Sequence, residues 1–84
     1  MKIIFTDKSK KQLSKLDLRF QEKVLETLRK FENGESVDIK KLMGRKDEYR
    51  IRVGHYRIIL NKPTKNGYLI TKIGERENIY LIFL

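Results

Sequence analysis

The apolar positions of this chain change period partway along, from helix spacing to strand spacing. Ile3, Ile4 and Phe5 form a short apolar run, which predicts an N-terminal strand over residues 2–5. Thr6 or Asp7 follows as a candidate N-cap, because a short oxygen-bearing side chain accepts from the free amides of a first helical turn. Leu13, Leu16 and Phe20 then recur at three and four residues, the spacing of one helix face. Asp17 interrupts this stretch and is placed to cap a second helix. That helix carries Phe20, Val24, Leu28 and Phe31 on one stripe, with Leu25 beside them. Glu22, Lys23, Glu26, Arg29 and Lys30 line its other side. Gly34 stands just past the last periodic residue, where a left-handed C-cap is expected. The segment reads as an αα-hairpin with one apolar side.

From Tyr49 the period is two. Tyr49, Ile51 and Val53 alternate with Arg50 and Arg52, and Tyr56, Ile58 and Leu60 alternate with Arg57 and Ile59. Between the two runs lie Gly54 and His55. A two-residue loop with Gly first suits a type II′ hairpin turn, whose first central residue has positive φ. A second turn is predicted over residues 63–67. Tyr68 to Ile73 is nearly continuous apolar sequence, as for a strand buried on both faces, and Gly74 is expected to end it. Glu75, Arg76 and Glu77 precede Asn78, Ile79, Tyr80 and the apolar end Leu81 to Leu84. The fold class is therefore α+β: one N-terminal strand, an αα-hairpin, then a three-stranded antiparallel meander, with the helices packed on one face of the sheet. No further helix is available for the other face.

The 84 residues form a single domain, 1–84, with no internal repeat or linker. There is no Cys and only one His, so disulfides, thiolate metal sites and imidazole zinc sites are excluded as organising devices. No apolar run approaches the roughly 18 residues of a membrane span, and no signal-peptide pattern opens the chain; a cytoplasmic location is expected. Charge sharpens the picture. Residues 1–39 hold nine Lys/Arg and seven Asp/Glu, a net of +2, whereas residues 40–84 hold eleven and four, a net of +7. The second half is a basic face suited to a polyanion.

The hairpin register locates that face. With Gly54 and His55 as the loop, Val53 pairs with Tyr56, Arg52 with Arg57 and Ile51 with Ile58. Tyr49, Ile51, Val53, Tyr56, Ile58 and Leu60 then share the core side, and Arg50, Arg52 and Arg57 share the other. Directly opposed like charges cost a strand pair up to ~1 kcal/mol. A polyanion would neutralise them, since the planar guanidinium binds phosphate bidentately. The plainer alternative is that Glu48, Glu75 or Glu77 pairs with them, or that they splay into water. Arg76 is expected to swing over the same face, with Tyr80 four residues on, able to stack on a base or take a proton. His55 reads as a solvated turn residue. No phosphate-binding glycine loop, dinucleotide fingerprint, nucleophile elbow or HExxH occurs.

The segment Lys40-Lys41-Leu42-Met43-Gly44, followed by Tyr49-Arg50-Ile51-Arg52-Val53-Gly54-His55-Tyr56-Arg57-Ile58, resembles the signature of the RelE/ParE toxin superfamily, the RelE side in particular. Gly74-Glu75-Arg76-Glu77-Asn78-Ile79-Tyr80 resembles the family's C-terminal motif of Gly-His-Arg and a later Tyr. The resemblance covers the whole chain and implies the RelE-like fold. It also implies the toxin of a type II toxin–antitoxin pair, a ribosome-dependent endoribonuclease that cuts mRNA in the ribosomal A site without metal or any cofactor. There the ribose 2′-hydroxyl attacks the adjacent phosphate. By this resemblance Arg57 and Arg76 stabilise the developing charge, and Tyr80 stacks on a base or helps remove the 2′-proton. Arg50 and Arg52 bind the RNA backbone and support proton transfer, with Lys40, Lys41, Arg45 and Lys46 as further RNA-binding cations. Glu75 stands where many relatives carry His; it is a candidate base, or a carboxylate that pairs with an arginine and quiets the site. Implied partners are a cognate antitoxin, whose C-terminal segment wraps the basic face, and mRNA with surrounding rRNA. No membrane or small-molecule cofactor is expected. Two alternatives share the fold: a ParE-like inhibitor of DNA gyrase without nuclease activity, and an inactive RNA-binding relative.

Overall fold

The computed structural model describes residues 2–44, 46–65 and 67–75. Among them lie two helices and a five-stranded sheet: β1 (Lys2–Phe5), α1 (Asp7–Ser14), α2 (Leu18–Glu32), β2 (Ile39–Lys41), β3 (Glu48–Val53), β4 (Tyr56–Thr64) and β5 (Gly67–Glu75). The order across the sheet is β1-β5-β4-β3-β2. β1 runs parallel to β5, and the other pairings are antiparallel.

Local chemistry fixes both helices. Thr6 caps α1, its hydroxyl oxygen accepting from the Ser9 amide at 3.1 Å. Asp17 caps α2, accepting from the Phe20 amide at 3.2 Å. Asn33 is the C-cap of α2, and Gly34 follows with φ +78°, the left-handed position expected of it. The buried stripe Val24, Leu28 and Phe31 packs on Ile51, Val53, Ile58, Leu60, Ile70 and Ile73. Phe20 meets Tyr56 edge-on with centroids 4.8 Å apart, and Phe31 meets Tyr68 at 4.9 Å. The helical layer and the apolar sheet residues thus form one core on one face.

β1 stops at Phe5, opposite Ile70, while β5 continues to Glu75. The edge this would expose is closed from the helical side. The Thr6 amide donates to the Ile70 carbonyl at 3.0 Å, and the Ile73 amide donates to Gln12 Oε1 at 2.8 Å.

Three expectations from the sequence need correction. β2 was not expected; it adds a short edge strand to the meander, with Ile39 opposite Ile51. Its remaining residues are two lysines, which leave no alternation to read and which suit an edge that must not recruit another strand. Gly74 does not end β5, since Gly74 pairs with Arg57 and Glu75 with Tyr56. Nor is the Tyr68–Ile73 run apolar because both faces are buried: Leu69, Thr71 and Lys72 are only half-buried. Ile70 and Ile73 both reach the core although they are three residues apart. A bulge permits this, because Ile59 pairs with Lys72 and Leu60 with Ile70, leaving Thr71 as the extra residue.

Candidate nucleic-acid interface

Strand alternation sends every second side chain of β3 and β4 away from the helices. The hairpin that sets this alternation has the expected register, with Val53 opposite Tyr56, Arg52 opposite Arg57 and Ile51 opposite Ile58. Gly54 has φ +59° and His55 does not have positive φ, which is the type II′ pattern. Residues directly opposite one another share a face. One row on the face away from the helices therefore reads Lys40, Arg50, Ile59, Lys72, and the next reads Arg52, Arg57, Gly74. Cations from four neighbouring strands gather there.

The three arginines differ in exposure. Arg52 has a side chain 47% exposed, whereas Arg50 and Arg57 are buried, at 7% and 4%. The Nε of Arg57 is buried with no hydrogen-bond partner among the described residues. Its cross-strand neighbour on β5 is Gly74, which puts no side chain on this face. A buried donor left unmatched costs about 1–3 kcal/mol, so the hydrogen bonding of the described residues gives no reason for an arginine here.

Asp38, just before β2, was not anticipated. Its Oδ1 accepts from Arg50 Nη1 at 3.0 Å, and its carbonyl accepts from the same nitrogen at 3.3 Å. Its Oδ2 lies 3.9 Å from Arg52 Nε. The Arg50 hydrogen bond holds the Asp38 carboxyl below the usual carboxylate range; desolvation opposes it, and the charges of Arg50, Arg52 and Arg57 add to the lowering. Among the described residues, then, Asp38 is an acid that pairs with Arg50 and Arg52, one the sequence reading of Glu48, Glu75 or Glu77 does not include; Glu75 lies opposite Tyr56, and Glu77 lies outside the described residues. The sequence signal was faint: a single acid before two lysines, whose contact depends on the unexpected strand.

The other expected site residues separate. Lys40 shares the arginine face, but Lys41 lies opposite Tyr49 and so points to the helical side of the sheet. Lys46 is exposed in the turn between β2 and β3, close to Asp47, whose φ is +57°. Glu75 lies opposite Tyr56, the residue that packs on Phe20, and therefore projects to the helical side, away from Arg52 and Arg57. His55 is exposed, as read from its place in the turn. Arg45, Arg76, Glu77, Tyr80 and the apolar end Leu81 to Leu84 lie outside the described residues. Among the described residues no group of His, Cys, Asp and Glu is arranged to hold a metal ion, and no helix is long and apolar enough to cross a membrane.

Solved structures similar to this chain include toxins and antitoxin–toxin complexes. A chain of the RelB–RelE antitoxin–toxin complex from Methanococcus jannaschii superposes with a TM-score of 0.80 and 26% identity, covering 96% of this chain and 99% of that one. A chain of the archaeal RelE–RelB complex from Pyrococcus horikoshii gives a TM-score of 0.71 and 26% identity, over 90% and 94%. The isolated RelE toxin of Escherichia coli, 21% identical with a TM-score of 0.75 over 98% and 93%, shares the fold. No curated protein sequence matches significantly. Residues 3–80 match the family model described as the ParE toxin of type II toxin-antitoxin system, parDE. With the fold, the hairpin register and the family match in agreement, the chain belongs to the RelE/ParE family and is a toxin of a type II toxin–antitoxin system.

Proposed function

We propose that this toxin is an mRNA endoribonuclease acting in the ribosomal A site. The observation that carries the reading is Arg57: a buried guanidinium with an unmatched Nε, set beside Arg52 on the sheet face away from the helices. A phosphate placed there would receive charge-assisted hydrogen bonds from both arginines. In the reaction the 2′-oxygen attacks the adjacent phosphorus and the bond to the 5′-oxygen breaks. The products are a 2′,3′-cyclic phosphate and a free 5′-hydroxyl; the 2′-proton leaves to a base and the 5′-oxygen gains one. Negative charge builds on the non-bridging oxygens in the transition state, and donors aimed at it are each worth about 3 kcal/mol. Arg57 supplies that role from the sheet, and Arg52 beside it grips the RNA backbone. Arg76 and Tyr80 complete the set by the family resemblance, Arg76 as a second charge stabiliser and Tyr80 in stacking or proton removal. Glu75, projecting to the helical side, is a poor fit to the base. The ribosome supplies much of the orientation for in-line attack, and the activity belongs in the cytoplasm with it.

A cognate antitoxin is the second partner. The solved antitoxin–toxin complexes of this fold support it, as does the basic face, which suits an acidic segment that folds on binding. The ParE family match favours one other reading, inhibition of DNA gyrase without nuclease activity.

Primer extension on mRNA after induction separates the two. Cuts within translated codons that vanish in Arg57→Ala, with the protein still folded, support the nuclease. DNA-damage signalling without such cuts supports gyrase inhibition. Harmless expression without any antitoxin points to an inactive relative.

A further inference from the structure

Asp38 holds two arginines unequally. Its carbonyl accepts from the Arg52 amide at 3.0 Å, which fixes its backbone against β3 just beyond the Ile39–Ile51 pair. From there the carboxylate meets both guanidiniums. The contact with Arg50 is a charge-assisted hydrogen bond at 3.0 Å, reinforced by the carbonyl, to a side chain only 9% exposed. The contact with Arg52 is a 3.9 Å ion pair between two half-exposed groups, which water and salt weaken.

Resting on the RNA-cleaving reading above, we infer that Asp38 is a positioning residue that meters the grip on RNA. It withdraws Arg50 from the phosphate contact and stands at Arg52 in the place a phosphate oxygen takes. When RNA arrives, Arg52 exchanges the distant carboxylate oxygen for a phosphate oxygen at hydrogen-bonding distance. Arg50 does not exchange, because breaking its pair would leave a buried guanidinium unmatched. The native carboxylate remains beside the bound phosphate and opposes it, so binding is weaker than the arginines alone would give.

The test is fluorescence anisotropy with an unstructured single-stranded RNA of about ten nucleotides, at several salt concentrations. Asp38→Asn keeps an acceptor for Arg50 and deletes the charge. Removing one negative charge from beside a bound phosphate in a mostly aqueous setting should tighten binding roughly three- to ten-fold at low salt. The salt slope should steepen by up to about 0.7, the value of one further phosphate contact on a single strand. Asp38→Glu, which retains the charge, should stay near the native affinity. In an Arg52→Gln background Asp38→Asn should bring no gain, because the competition runs through Arg52. Unchanged or weaker binding by a cooperatively folding Asp38→Asn overturns the inference. Should that variant not fold, the native chain decides by NMR: the Asp38 carboxyl carbon signal shifts as RNA is added, and a signal that stays still while RNA binds refutes the exchange. Failure here is separable from failure of the nuclease reading. Arg57-dependent cleavage with an inert Asp38→Asn removes only this inference. Asp38-limited RNA binding without cleavage removes only the nuclease, and a native chain that binds no RNA removes both.

Discussion

Replacing Arg57 by Met should make this toxin more stable and inactive. Arg57 is 4% exposed, faces Arg52 across the hairpin, and leaves its Nε buried without a partner among the described residues. The unmatched donor costs about 1–3 kcal/mol, and the opposed like charge up to ~1 kcal/mol. Methionine has a comparable unbranched stem and no polar atom to satisfy. Against these gains stands the lost attraction to Asp38, which is small because that carboxylate is half-exposed and screened. The net is a stabilisation of roughly 1–3 kcal/mol, in line with the usual outcome of exchanging a buried charge for an apolar group. In a domain of this size each kcal/mol raises Tm by about 4–8 °C. Urea unfolding followed by circular dichroism should show a higher midpoint with unchanged m, and the difference should shrink somewhat at high salt as the Arg52 repulsion in the native chain is screened. An equal or lower midpoint for Arg57→Met would refute the reasoning. It would mean that the guanidinium is satisfied within the fold and that its burial holds no unspent binding capacity. On the nuclease reading proposed above, the same variant should lose mRNA cleavage, so that stability and activity move in opposite directions.

Gln12→Ala should remove the partner of the Ile73 amide, destabilising the chain by about 1–3 kcal/mol and speeding amide exchange at Ile73 more than at Ile58. Gly54→Ala should cost about 1–2 kcal/mol in chemical denaturation; the new Cβ would lie 3.7 Å from Phe20, an ordinary contact, so the cost is that of holding φ +59° with a side chain. Asp38 has its folded pKa lowered below the ordinary 3.8, so its stabilising contribution is complete above the unfolded value and is lost as pH falls through the lower folded one. Acid titration of native protein and Asp38→Asn should therefore show their stability difference closing only below about pH 4, and a difference that closes near neutrality would count against the Arg50 pairing.

Much of this architecture was legible because periodicity and turn chemistry agreed. The caps at Thr6 and Asp17, the left-handed Gly34, and the Gly54–His55 turn each follow from a local rule with a single physical outcome. The register of Arg52 against Arg57 then follows from counting outward from the turn. What escaped the sequence depends on distant partners. Ile39-Lys40-Lys41 becomes a strand because β3 offers an edge, not because three residues carry a strand pattern. With β2 unseen, Asp38 could not be placed beside Arg50. The bulge at Thr71 was hidden as well, because an apolar run looks the same whether it packs on two faces or skips a residue to keep two isoleucines on one.

That bulge bears on the arginines as much as on the core. Carried on without the extra residue, the Leu60–Ile70 pairing would set Lys72 opposite Ile58 and Ile73 opposite Arg57. A lysine would enter the core, and a bulky isoleucine would stand beside the guanidinium. With the bulge, Ile73 joins Ile58 beneath the helices and Gly74 takes the place next to Arg57, leaving room on that face. The same one-residue offset turns Glu75 toward Tyr56 and removes a carboxylate from the neighbourhood of Arg52 and Arg57. Core packing and the basic face are thus set by one alternation, pinned at one end by the Gly54 turn and corrected at the other by Thr71. Selection for burial of Ile70 and Ile73 carries the arginine arrangement with it, and any slip that spoils the face also puts a charge among the apolar side chains.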